Sequence, residues 1–168
     1  MNEPQEFWWE QTRSDLVILL LLRKEGVTPC HQLHYLRMVT EKLAKAYFWR
    51  SGKSPKTSHV GFVRFLTAIN NRSKADRTRI ALLLGFDRVE NFEYWISAIA
   101  PIAYGLERLA PALSSDGPNP EYPWPTAWPT NAPATSKFVV WDSLCRTSYG
   151  RRLLKLIESA VAEFPKYA

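Results

Sequence analysis

The chain has 168 residues, 46% hydrophobic and 13% aromatic, with a formal net charge of +6. That is a single domain's length with ample apolar material for a core, and seven Trp, seven Tyr and eight Phe exclude a disordered chain. The longest apolar run, Leu16 to Leu22, is too short to span a bilayer. The acidic opening MNEPQEFWWE also lacks the basic start of a signal peptide, so a soluble, cytoplasmic protein with no membrane contact is expected.

In chain order, the first predicted helix runs from about Glu6 to Glu25, with Gly26 as its left-handed cap. Its stretch from Leu16 to Leu22 is apolar on all sides, which predicts a helix in the middle of a bundle. Thr28 and Pro29 suit the cap and first position of a second helix, with Leu33, Leu36, Val39, Leu43 and Ala46 or Tyr47 inward. Glu41 and Lys45 form a supporting pair on it, and it ends near Gly52, before Pro55.

Thr57 or Ser58 caps a third helix with a stripe at Val60, Val63, Leu66 and Ile69, ended by Asn70 and Asn71. A fourth spans about Lys74 to Leu84 and stops at Gly85. The fifth is predicted long, Val89 to Leu113, with Phe92, Trp95, Ile96, Ile99 and Ala103 inward and a kink at Pro101.

The stretch from Gly117 to Pro133 holds six of the twelve prolines, which forbids a regular helix. Tyr122, Trp124 and Trp128 are expected to pin it to the bundle as an ordered strap; an exposed protein-binding surface is the other reading. KFVVW suggests a brief strand-like piece, and a final helix runs from Trp141 or Ser148 to Phe164. The predicted architecture is all-α: an antiparallel bundle of about five to six helices, one domain over 1–168, with the Pro-rich connection before the last helix. Cys30 and Cys145 have no neighbouring Cys and read as two reduced thiols.

The charge is concentrated. From Arg50 to Arg79 the chain carries Arg50, Lys53, Lys56, Arg64, Arg72, Lys74, Arg77 and Arg79 against Asp76, so this segment is +7 and the remainder −1. Such a field suits an anionic partner such as RNA or a nucleotide, with a plain solvated face as the alternative. His59 lies inside the segment at a predicted helix start. The helix dipole and neighbouring cations favour its neutral form, and a neutral imidazole beside fixed cations suits metal-free RNA cleavage. The plainer role is a histidine that caps or packs the third helix. His31 and His34 are three apart on neighbouring faces with no further ligands at matching spacing, so neither a metal nor another cofactor is expected.

The arrangement EKLAKAYFWRSGKSPKTSH (Glu41 to His59), followed by an apolar helix, resembles the central two-helix unit of the HEPN superfamily of nucleotide-binding bundles. LERLAPAL (Leu106 to Leu113), then EYP (Glu121 to Pro123) and a closing amphipathic helix, is similar to that family's connection before its last helix. The resemblance implies a four- or five-helix bundle that pairs as a homodimer around a basic cleft. Catalytic members are metal-independent endoribonucleases with an Arg, four to six residues, then a His. His59 matches the histidine and Arg50 is the nearest arginine, although eight residues separate them; Lys53, with five between, has the spacing but another side chain. The resemblance therefore also fits non-catalytic, nucleotide-binding branches, and it implies a toxin–antitoxin or defence setting with a nucleotidyltransferase-like or antitoxin partner. A rival class is a non-enzymatic interaction protein or a helix-turn-helix DNA-binding regulator, read from Arg79 to Ala98, with Arg77, Arg79 and Arg88 meeting phosphates. Against it, that segment exposes Glu90, Asn91 and Glu93, which suits an ordinary helical hairpin better.

Overall fold

A computed structural model describes residues 1–51, 61–114 and 116–167. Its elements are α1 (Glu3–Lys24), α2 (Pro29–Phe48), a 3-10 turn (Trp49–Ser51), α3 (Phe62–Asn70), α4 (Lys74–Leu83), α5 (Val89–Ala98) and α6 (Ala100–Glu107). The single turn α7 (Pro111–Ser114), the 3-10 turn Pro133–Thr135, α8 (Val139–Arg146), α9 (Ser148–Ala162) and the single turn α10 (Phe164–Tyr167) follow. The all-α class holds, and no helix among the described residues is long and apolar enough to cross a membrane. The expected five to six helices do not: the described residues contain eight helices of eight or more residues and two single turns.

The extra breaks have local causes. The predicted fifth helix is three pieces, because Pro101 opens α6 after α5 has ended at Ala98, and Pro111 starts α7. The final helix takes the later of its two expected starts: α9 begins at Ser148, and Trp141 lies in the separate α8, the break falling at Thr147, whose side chain accepts from the Gly150 N–H at 2.9 Å. A Cβ on Gly150 would collide with the Ser143 carbonyl, so glycine lets α9 start directly against the end of α8. KFVVW makes no strand, since Val139 opens α8.

α1 and α2 form the central antiparallel hairpin. Asn2 and Gln5 make a capping box at the start of α1, worth about 1 kcal/mol. The same two side chains donate to the Trp49 carbonyl (2.9 Å) and the Ala46 carbonyl (3.3 Å), locking the hairpin's open end. α1 is not wholly enclosed, contrary to the expectation from Leu16–Leu22: Leu16 and Leu19 are buried, whereas Val17, Leu20 and Leu21 face solvent. Glycines with positive φ at Gly26 and Gly85 end α1 and the α4 turn, as their positions predict.

α3 and α6 pack on α2 through Tyr47, Phe62, Phe65, Ile69, Ala103 and Leu106, all fully buried. Phe86, Phe92 and Trp95 form a second aromatic group where α4 turns into α5. α9 closes the bundle against α1, with Trp9 Nε1 donating to the Val161 carbonyl at 2.8 Å. One aromatic pins the strap, not the three expected. Trp124 is buried beside Phe138, and its backbone pairs with Asn131, whereas Tyr122 and Trp128 are exposed.

Candidate functional site

The site begins where α2 runs out. Tyr47 is fully buried and Phe48 half-buried, their rings edge-to-face at 5.2 Å. The Arg50 guanidinium lies 4.0 Å over the Tyr47 ring, and that of Arg64, from the first turn of α3, lies 5.3 Å over Phe48. Stacking on a ring is worth about 0.5–2 kcal/mol and fixes a guanidinium by its face, leaving its in-plane N–H donors available. Among the described residues neither arginine meets a carboxylate. Two anchored cations thus bracket positions 52–60. Lys53, Lys56, the predicted caps Thr57 and Ser58, Val60, and the catalytic candidate His59 lie outside the described residues.

A buried carboxylate stands at the start of α3. The Gly61 cap offers no side chain, and Glu107 of α6 accepts from the Val63 N–H at 3.0 Å and from that of Phe62. Burial pushes the Glu107 carboxyl above the ordinary glutamate range, against the lowering effect of those two N–H donors. Glu107 therefore occupies the helix N-terminus that an incoming phosphate would otherwise use. The sequence reading missed it. Its signal was positional: Glu107 follows Ala103 by four residues and precedes Ala110 by three, an acid on a fully buried face.

The downstream half of the basic segment is built differently. The Arg72 guanidinium donates to the Tyr167 carbonyl and lies 3.7 Å from Asp76. Arg77 bonds Glu93 at 2.8 Å and donates to the Arg72 carbonyl. Arg79 donates to the Lys166 carbonyl at 2.6 Å and lies 3.5 Å from Asp76. The Ser73 hydroxyl, and then Arg72 and Arg79, hold the Asp76 carboxyl below its usual range. These three arginines fasten α10 and α5 to the start of α4, whereas Lys74 is exposed and makes no such contact among the described residues. The Arg77–Glu93 pair gives α4 and α5 the character of a helical hairpin, with Arg88 near Glu90 at 3.8 Å on its exposed side.

A second charged cluster joins α1, α2 and the strap. Lys42 meets Asp15 at 2.5 Å, and Arg37 spans Glu41 (3.2 Å) and Glu121 (2.7 Å) while Lys45 holds Glu41 at 2.6 Å, the expected pair. The Glu121 of the EYP motif is thus the polar fastener of the strap. His34 Nδ1 lies 3.3 Å from Glu121 without hydrogen-bond geometry, and His31 is exposed. Among the described residues no group of three or more His, Cys, Asp or Glu is placed to hold a metal ion, and Cys30 and Cys145 are unpaired.

No family model matches this chain, and neither the curated proteins nor the solved structures include a match.

Proposed function

We propose that this chain is a HEPN-like helical bundle that binds RNA or a nucleotide at the α2–α3 connection. The observation that carries the reading is the pair Arg50 and Arg64, held on the Tyr47–Phe48 rings without a carboxylate among the described residues. An anchored guanidinium loses little freedom on gripping a phosphate and can do so through two N–H donors. Lys53 and Lys56 add charge from the intervening segment. Arg72, Arg77 and Arg79 contribute field more than contact, since their donors already have internal partners. Lys74 stands free to reach a phosphate at longer range.

The catalytic extension assigns His59 as the base that takes the 2′-hydroxyl proton and Arg50 as the cation that stabilises charge growing on the phosphate, with no metal. The resemblance to the HEPN superfamily supports this assignment. It also supports a homodimer and a nucleotidyltransferase-like or antitoxin partner in a toxin–antitoxin or defence system.

One experiment tests both levels. RNA binding by filter retention at two salt concentrations should show log affinity falling with log salt, by roughly 0.7–0.9 per phosphate contact. Labelled RNA incubated in EDTA should yield fragments ending in a 2′,3′-cyclic phosphate. His59→Ala should cut that rate by about a hundred- to ten-thousandfold while leaving binding nearly intact. Binding that ignores salt sinks the RNA interface; full activity in the His59 variant removes the catalytic assignment alone.

A further inference from the structure

A cleft of about 230 Å³ opens between α5 and α9, bordered by the turn that joins α4 to α5. Asn91 and Tyr94 line it from α5, Tyr149 and Arg152 from α9, and Asp87 from the turn. Each helical pair is three residues apart, which sets both members on one face. The floor is fixed. Phe86 and Trp95 are buried with ring centroids 5.4 Å apart, and Trp95 Nε1 donates to the Tyr149 carbonyl at 3.3 Å, which ties the two walls together.

The half-buried Arg152 guanidinium lies 4.3 Å over the Phe86 ring, held by its face, so its in-plane N–H donors stay available. Asp87 lines the same cleft, yet no ion pair joins the two. None of Asp87, Asn91, Tyr94, Tyr149 and Arg152 spends its side chain on a hydrogen bond or ion pair among the described residues. Lone solvated charges are ordinary on a surface. Opposite charges that share one small, rigid cleft without meeting are suited to a ligand that carries both complements. The volume limits that ligand further, since drug-sized molecules take pockets of about 300–1,000 Å³. A single ring with a short polar tail fits; a nucleotide is too large, and its phosphate would meet the Asp87 carboxylate. We propose that this cleft binds a free aromatic α-amino acid. Its carboxylate takes two N–H donors of Arg152, its ammonium meets Asp87 and the Asn91 amide oxygen, and its ring packs against Tyr94 and Tyr149. The site goes beyond RNA binding and shares no residue with the Arg50–Arg64 pair.

Titration calorimetry with L-phenylalanine as the probe tests it, and a ligand this small should bind with a Kd of roughly 0.1–1 mM. Phenylpropionate, which lacks the ammonium, and phenylethylamine, which lacks the carboxylate, should each bind about tenfold more weakly. Asp87→Asn should weaken L-phenylalanine about tenfold and leave phenylpropionate unchanged. Arg152→Gln should weaken L-phenylalanine by a similar factor and leave phenylethylamine unchanged. Circular dichroism checks that each variant is folded, and Asp87 is an exposed turn residue whose loss the fold should tolerate. No binding of L-phenylalanine in the millimolar range overturns the inference, as does wild-type affinity in the Asp87→Asn protein. Adenosine monophosphate bound in its place, and weakened by Arg152→Gln, overturns it in favour of a nucleotide subsite. Arg50→Ala should leave L-phenylalanine binding unchanged, so failure here leaves the RNA reading to be judged by filter retention alone.

Discussion

The basic segment divides into two halves that carry the same side chain on opposite terms. Upstream, Arg50 and Arg64 rest on aromatic faces, and their donors are not spent on carboxylates among the described residues. Downstream, Arg72, Arg77 and Arg79 spend their donors on the Tyr167, Arg72 and Lys166 carbonyls and on Asp76 and Glu93. The difference teaches how to separate a cation that stabilises the fold from one free to meet a ligand. An arginine whose N–H groups close the ends of helices is a structural bolt. One held by its flat face keeps its hydrogen-bonding edge for something else.

The largest expected effect breaks the comparison if it fails. Arg77→Ala strands the Arg72 carbonyl and leaves Glu93 without its cation, in a half-buried setting. Hydrogen bonds to charged groups contribute about 1.5–3 kcal/mol, and solvent at this site lowers the expected loss to about 1–2 kcal/mol. Arg72→Ala should lose a similar amount, because it frees the Tyr167 carbonyl at the chain's closing turn. Urea unfolding reads both as lower midpoints with unchanged slope. The salt dependence of RNA binding should stay as in the wild type. A stable Arg77→Ala protein with weakened RNA binding would reverse the assignment of the two halves.

The second effect is smaller in free energy and opposite in kind. Arg50→Ala and Arg64→Ala should each lower the salt slope of RNA binding by roughly 0.7–0.9, one phosphate contact apiece. Their unfolding midpoints should move little, since an exposed cation–π contact contributes only about 0.5–1 kcal/mol. Arg50→Lys sharpens the test further: the charge stays, while planar stacking and the bidentate grip go. Affinity should fall in that variant with the slope nearly kept. Filter retention over a salt series separates the three outcomes.

How much of this was legible depended on whether a residue acts on its neighbours in sequence or across the fold. Gly26, Thr28 with Pro29, Asn70 and Gly85 set helix ends through their own backbone preferences, and the predicted boundaries there fall within a residue or two of those observed. Pro101 marked a break, but the sequence pattern joined its two flanks because Phe92, Trp95, Ile99 and Ala103 keep helical spacing across it. The role of Gly150 depends on the approach of the Ser143 carbonyl, which only the packed helices create. At the site, the concentration of charge was plain in the sequence. Its division was not, because the partners of Arg72 and Arg79 lie about ninety residues away at Tyr167 and Lys166. Arg37 was hidden the same way, a buried charge whose reason, Glu121, sits in the strap.

The smallest expected effect concerns Glu107, the buried carboxyl at the start of α3. Burial raises its carboxyl above the usual range, so the folded state keeps a proton at pH values where the unfolded chain has released it. The stability this group contributes is fully present below the unfolded pKa, about 4.3, and is lost as pH rises through the higher folded value. Glu107→Gln keeps an oxygen to accept the Val63 N–H and carries no charge at any pH. Relative to the wild type, the variant should gain stability on going from acid toward neutral pH and be equal or slightly more stable at pH 7. Urea midpoints at acidic and neutral pH measure it. RNA affinity should be equal or higher in the variant, because a negative charge at the start of α3, the helix that carries Arg64, has gone. A variant much less stable at pH 7 would mean that the full carboxylate charge is needed at the α3 N-terminus, and the helix dipole would outweigh burial there. In that case the cations at the α2–α3 connection would serve first to balance Glu107, and Arg50→Ala combined with Glu107→Gln should be more stable than Arg50→Ala alone.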